Sequence, residues 1–205
     1  MEKYQRRSPI DFGPQEARRV ERQGWEVVSA FEGGGPGPFL IDLSHKTKWD
    51  LQDSGLDRFQ PWGLAIPQKP GECAFEGGLL INRMNRTQCA IWHLGQGELD
   101  PPQEETYTET TDGLALLAVT GTEALAVMER VTSLDLASPR LKPPCLIQGP
   151  ILHVPCQVVL LSQEDDQAAI LFSFSRGYGQ SLAEAMLQAG SDLGLRPGGE
   201  DDLKL

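Results

Sequence analysis

Apolar and polar positions alternate through much of this chain, and that pattern predicts most of its elements. "WEVVSAF" (Trp25 to Phe31) and "FLIDL" (Phe39 to Leu43) have strand composition. "KTKWDLQ" alternates polar with apolar and predicts a third strand. "GLLINRMNRTQCAIWHLG" predicts a hairpin that turns near Asn85, Arg86 and Thr87. Residues 15–23, "QEARRVERQ", read as a short polar helix with Pro14 near its start and Gly24 at its end. "GGGPGP" (Gly33 to Pro38) and "PWGLAIPQKPGE" are too rich in Gly and Pro for regular structure and read as connectors.

The acidic stretch "GELDPPQEETYTE" (Gly97 to Glu109) predicts a boundary between two halves. After it, "GLALLAVTG" reads as a buried strand closed by Gly121. A helix over about 122–132 follows, with Thr122 as its cap and Glu123 in its first turn. Leu125, Met128, Val131 and Thr132 recur at helical spacing and should face a sheet. "SPRLKPPCLIQGP" reads as a loop. "ILHVPCQVVLL" and "AAILFSFS" read as two strands around the acidic turn "SQEDDQ". Ser181 and Glu184 have capping-box spacing for a last helix over 181–193, with Leu182, Met186, Ala189 and Leu193 on one face and Gly194 as its stop.

The predicted fold class is therefore α+β, with mixed or antiparallel sheets and helices on one face. "IDLSHKTKWDLQDSGLDRF" lines up with "TTDGLALLAVTGTEALAVM" and suggests two related halves. The predicted organisation is an N-terminal half over 1–104, a second half over 105–196, and a loose tail over 197–205, "RPGGEDDLKL" with its leading Arg196.

Composition narrows the function classes. The 205 residues are 40% hydrophobic and 23% charged, which suits a globular domain. A net charge of −11 argues against nucleic acid and anionic membrane surfaces as partners. No apolar run approaches the ~20 residues of a membrane span. Four Cys are too few for a disulfide-dense scaffold, so the chain reads as cytoplasmic with reduced thiols. Phosphate-loop, dinucleotide and nucleophile-elbow patterns are all missing.

Val119 to Leu136, "VTGTEALAVMERVTSLDL", resembles the N-terminal region of the folate-binding glycine-cleavage T-protein (aminomethyltransferase) superfamily. There a strand ends in a "TG" turn, an amphipathic helix follows, and a threonine-rich exit ends in an aspartate and an aliphatic residue. Here those parts are Thr120-Gly121, the helix from Thr122, and Thr132 to Leu136. "SFSRGYGQSLAEAMLQAGSDLGLRPGG" is similar to the C-terminal part of the gamma subunit of heterotetrameric sarcosine oxidase, a non-catalytic relative. The resemblance implies a T-protein-like fold and a subunit role in a folate-linked, amine-oxidising complex. It also allows folate as a ligand, although no cofactor is expected in the isolated chain. The implied partners are protein subunits of a larger complex, or further copies in a homo-oligomer. In the hairpin where a T-protein carries an acidic pair, "QGPILHVPCQ" has His153 and Val154, and a valine cannot hold charge developing on an amine. The second reading is a minimal folate-binding enzyme completed by homo-oligomerisation.

Candidate polar-pocket residues are His45, Asp112, Asp135 and His153, since an enzyme would need a carboxylate or imidazole in a cavity. Arg176, Gly177, Tyr178 and Gly179 join a strand to a helix start and are the candidate anion-binding turn. Cys145 and Cys156 flank His153 without a second Cys-x-x-Cys, so no metal site is expected. Trp25, Trp49, Trp62 and Trp92 all lie in the first half. At least one of Trp49 and Trp62 is expected to be exposed in an apolar interaction patch.

Overall fold

Alternate residues of the long strands serve two different cores, and this sets the layering of the molecule. The computed structural model describes residues 6–13, 16–32, 37–164 and 167–204. Strand β9 (Leu114–Thr122) sends Ala115, Leu117 and Val119 to one side, where helices α1 (Ala124–Val131) and α2 (Gly179–Ala189) pack together. Leu116 and Ala118 point the other way, onto Leu80 and Trp92 of a second sheet. A strand buried on both faces reads as an unbroken apolar run, which is what "LALLAV" is. Burying each Leu adds about 1.5–3 kcal/mol.

The first large sheet has six strands, in the order β10 (Cys145–Ile151), β11 (Val154–Glu164), β12 (Gln167–Ser175), β9, β3 (Phe39–Asp42), β13 (Arg196–Gly198). Its neighbours are antiparallel except β13, which runs parallel to β3. The second sheet orders β5 (Cys73–Glu76), β6 (Leu79–Arg83), β7 (Gln88–His93), β4 (Lys48–Gln52) and β8 (Tyr107–Glu109), all antiparallel. A third core on its outer face holds Trp49, Leu51, Ile81 and Ile91, covered by Leu56, Trp62 and Ile66 from the Pro-rich connector. The molecule is thus α+β, with mixed and antiparallel sheets and both helices on one face. No helix among the described residues is long and apolar enough to cross a membrane.

Several local readings differ from the structure. Residues 17–22 form a strand, β1 (Ala17–Arg22), paired antiparallel with β2 (Trp25–Phe31), and not a helix. Gln23 and Gly24 both have positive φ, 50° and 80°, and make the two-residue turn that hairpin twist favours. The polar stretch has no apolar stripe to hold a helix of that length, whereas Val20 gains a cross-strand partner in Val27. Pro14, Gln15, Gly33 to Pro36, Asp165 and Asp166 lie outside the described residues, and with them parts of three predicted segments.

"ILHVPCQVVLL" is two strands, because Leu152 and His153 (φ 46° and 68°) turn the chain between Ile151 and Val154. Part of the predicted loop before it is β10. Helix α1 starts at Ala124; Thr122 ends β9, and Glu123 makes no side-chain cap. Ala124, Val127, Met128 and Val131 form its buried face, with Leu125 half-buried. Helix α2 starts at Gly179, where a 3-10 turn over Arg176–Tyr178 feeds into it. Ser181 Oγ donates to the Tyr178 carbonyl, so it does not cap the helix. The helix ends at Ala189, and Gly194, at φ 80°, ends the next turn.

The predicted halves interleave in space. β3 lies between β9 and β13, while β8, from the acidic stretch, completes the sheet of the first half. The C-terminal segment is not a loose tail. Gly198 and Gly199 let it lie flat: a Cβ at Gly199 would come 2.3 Å from the Ser29 carbonyl oxygen. The expected exposed tryptophan is also missing. Trp49 is buried and Trp62 half-buried against it, with ring centroids 4.7 Å apart. Among the described residues Tyr178, at 50%, is the one large hydrophobic side chain that is exposed.

Candidate functional site

The connector Leu43–Thr47 crosses from β3 in one sheet to β4 in the other and carries the sequence "LSHKT". Such a crossing puts His45 and Lys46 at the open end of the sandwich. There they meet the β1–β2 turn, the loop after β7, and the C-terminal segment. Glu200 enters from that segment with its side chain only 5% exposed. Lys46 Nζ lies 2.5 Å from Glu200 Oε1 and donates to the Gly95 carbonyl at 3.1 Å. His45 Nε2 is 3.4 Å from Oε1, and Gln96 Nε2 donates to it at 3.3 Å. Arg22 Nε contacts Oε2 at 3.4 Å.

This cluster shifts the titration of its members. The Glu200 carboxyl is held well below the usual carboxylate range, by the His45 hydrogen bond and by Lys46. Burial pushes His45 down, and the Lys46 charge adds to that, while Glu200 pulls it up. A neutral His45 donating from Nε2 satisfies both residues. Burial and Lys46 also lower His93. Two residues on, Lys48 is fully buried between the sheets, its Nζ donating to the Ser44 and Lys46 carbonyls at 2.9 and 2.7 Å. Burial lowers it to about 7, against the opposing pull of Asp42.

A cleft of about 250 Å³ opens beside the cluster, lined by Arg22, His45, Lys46, Thr47, His93 and Gln96 among others. His45 also lines a smaller cavity of about 50 Å³ beside Ser8, Trp25 and Asp42. Chemically, the junction is a carboxylate receptor already filled by the chain's own Glu200. Its two cations, Lys46 and Arg22, share that one carboxylate, and burial favours the neutral form of both imidazoles.

The structure separates the four candidate pocket residues. His45 belongs to this cluster. Asp112 is exposed and pairs with Arg6 at 3.6 Å. Asp135 is exposed after α1, and His153 is exposed at the tip of the β10–β11 turn. Among the described residues no three His, Cys, Asp or Glu side chains converge as metal ligands. All four thiols are raised by burial, and none lies against a base that would activate it.

The Arg176–Gly179 turn is covered by the N-terminal segment. Arg176 donates to the Arg7 carbonyl, and its guanidinium lies 5.6 Å from the Trp25 ring centroid, with Arg6 at 5.9 Å from the same ring. Gly179 is buried against Pro9: a Cβ there would meet the Pro9 side chain at 2.8 Å. Gly177 and Tyr178 are exposed. The residues that sequence reasoning missed are Arg22, Lys46, Lys48, Gln96 and Glu200. Lys46 and Lys48 left one trace, two lysines at strand spacing leading into Trp49. Glu200 left none, sitting in a Gly- and Asp-rich stretch that looks like a tail.

No protein-family model matches the chain, and no curated protein sequence matches it. Among solved structures, it is similar to a chain of the heterotetrameric sarcosine oxidase from Corynebacterium sp. U-96, solved in complex with pyrrole 2-carboxylate. The TM-score is 0.60 at 14% identity, covering 81% of this chain and 86% of that one. At that identity the likeness is one of fold. The similar covered shares mean that the two chains have similar lengths.

Proposed function

We propose that this chain is a non-catalytic subunit of a hetero-oligomeric, amine-oxidising complex, of the sarcosine oxidase gamma type. One observation carries the reading: over 81% of its length the chain is similar in fold to a similarly sized chain in a heterotetrameric oxidase. The chemistry of the junction supports it. Its one buried acid is held between two cations, as in a clasp that fixes the C-terminal segment. The replacement of an acidic pair by His153 and Val154, now at an exposed turn, also fits a chain that performs no aminomethyl transfer.

The test is to purify the tagged chain from its native host under gentle conditions. The reading expects stoichiometric recovery with larger subunits, flavin absorbance, and oxidation of a secondary amine with release of peroxide. The isolated chain should do none of this. Recovery as a free monomer would defeat the subunit reading. Turnover of tetrahydrofolate with an aminomethyl donor by the isolated chain would establish the minimal-enzyme alternative instead.

A further inference from the structure

On the outer face of the second sheet, away from the junction, lies an open cleft of about 340 Å³. It runs between the 58–62 connector and the 100–104 loop. Three aromatic rings form its walls. Tyr107 stands nearly perpendicular to the other two, at 81° to Phe59 and 74° to Trp62, with centroids 6.1 and 6.4 Å apart. Rings set at right angles enclose a corner, where a flat stack would fill it. Trp62 is fixed in place. Its backbone adopts φ 48°, costly for a bulky residue, its ring packs on Trp49, and its Nε1 donates to the Asp100 carbonyl at 3.1 Å.

The charges lining the cleft are unbalanced. Asp100 and Glu104 line it, both exposed, and neither is in an ion pair among the described residues. Arg58 is the one basic residue at the rim, and its charge is committed to Asp53 at 2.5 Å. Its guanidinium also sits 5.0 Å from the Phe59 centroid, so one face of that ring is held by the protein's own cation. Aromatic faces with uncompensated carboxylates attract a diffuse organic cation, which loses little hydration on entry. An anion is repelled here, and a neutral apolar guest gains nothing from the acids. A cleft near the lower end of the usual ~300–1,000 Å³ suits a small ligand.

We propose that the corner formed by Phe59, Trp62 and Tyr107, rimmed by Asp100 and Glu104, binds a small methylated ammonium ion. This site is independent of the subunit reading. The test titrates the purified full-length chain with choline and, separately, with 3,3-dimethyl-1-butanol, its uncharged carbon isostere. Tryptophan fluorescence and calorimetry read the binding. Choline should bind saturably and about tenfold tighter than the isostere. The double variant Asp100→Asn/Glu104→Gln alters exposed side chains only. It should weaken choline about three- to tenfold and leave the isostere unchanged. Equal affinity for the two probes, no saturation by choline in the millimolar range, or indifference to the double variant would each overturn the proposal. So would a proline-rich peptide that binds the cleft and is not displaced by choline.

Discussion

Lys46 Nζ meets Glu200 Oε1 at 2.5 Å, with both side chains more than 90% buried. This contact ties the C-terminal segment to the connector between the two sheets. A buried pair is weak evidence of net stabilisation, but breaking one partner is costly because the other charge stays buried. Glu200→Gln keeps the shape and removes the charge. We expect it to lose about 3 kcal/mol of unfolding free energy. The double change Lys46→Met/Glu200→Leu should recover at least half of that loss. Urea unfolding of the three proteins checks this, and a loss below about 0.5 kcal/mol for Glu200→Gln would mean that the cluster is incidental.

The same cluster sets a response to acid. The folded Glu200 carboxyl titrates below its unfolded value of about 4.3, so its stabilisation is complete above that pH and fades as pH falls further. Folded His45 also titrates below its unfolded value of about 6.5. Below about 6.5 the unfolded chain takes up that proton first, and stability falls. Midpoints in urea should therefore drop in two stages on acidification, the first near pH 6 and the second below pH 4. Burial lowers His93 as well, so His45→Gln should shrink the first stage and His45→Gln/His93→Gln should remove it while keeping the second; a first stage that persists in the double variant would assign it elsewhere.

The sandwich was readable in the sequence where strands are buried on both faces or on one. "LALLAV", "QCAIWH" and "AAILFSF" all carry the expected pattern, and the Asn85–Thr87 turn lies where the polar residues interrupt it. What escaped were features made by pairing, locally in β1 and at a distance in β13 and Glu200. β1 looks like a polar helix until Trp25 and Val27 supply its pairing edge. β13 and Glu200 look like a tail until β3 and Lys46 meet them. Local propensity contains nothing about a partner far away in the chain. The four pocket candidates were chosen by residue type and position in local motifs, and the fold scatters three of them to the surface.

His153 tests the difference between a chemical and a structural histidine. Its φ of 68° is unfavourable for a side chain with a Cβ, in a turn that favours glycine. His153→Gly should raise stability by about 0.5–1 kcal/mol, partly offset by the extra freedom of the unfolded chain. Thermal unfolding reads the shift. A fall in stability, or loss of an activity of the purified complex, would give His153 a role that its exposed position does not suggest.

Two glycines, Gly199 in the C-terminal segment and Gly177 in the turn before α2, separate close packing from open surface. Gly199→Ala would push a Cβ into the Ser29 backbone, which cannot move without disturbing β2. Gly177→Ala meets nothing within 4 Å. The first change should release the C-terminal segment, seen as rapid carboxypeptidase trimming and a lowered melting temperature. The second should leave both unchanged. Equal behaviour of the two would show that the segment is not clasped.

Lys48 makes the most unusual demand on the fold. It is fully buried between the sheets, and its amine is lowered to about 7 while the unfolded side chain titrates near 10.4. Below pH 7 the folded state carries the full cost of a buried charge. Between about 7 and 10 the unfolded chain binds the extra proton, so stability rises with pH. Above about 10 the cost is gone. Asp42, Asp112 and Glu109 reduce the cost, and Arg176 adds to it. Most proteins gain nothing from alkali, so a rise of a few kcal/mol between pH 7 and 9.5 would be distinctive. Lys48→Met removes the titration but leaves the Ser44 and Lys46 carbonyls without their donor, so its stability at pH 7 should be close to that of the parent. Its stability should then be flat over the same pH range. Urea titrations at three pH values decide it: a parent whose stability does not rise, or a Lys48→Met variant that rises as steeply, would show that the buried amine is not the source.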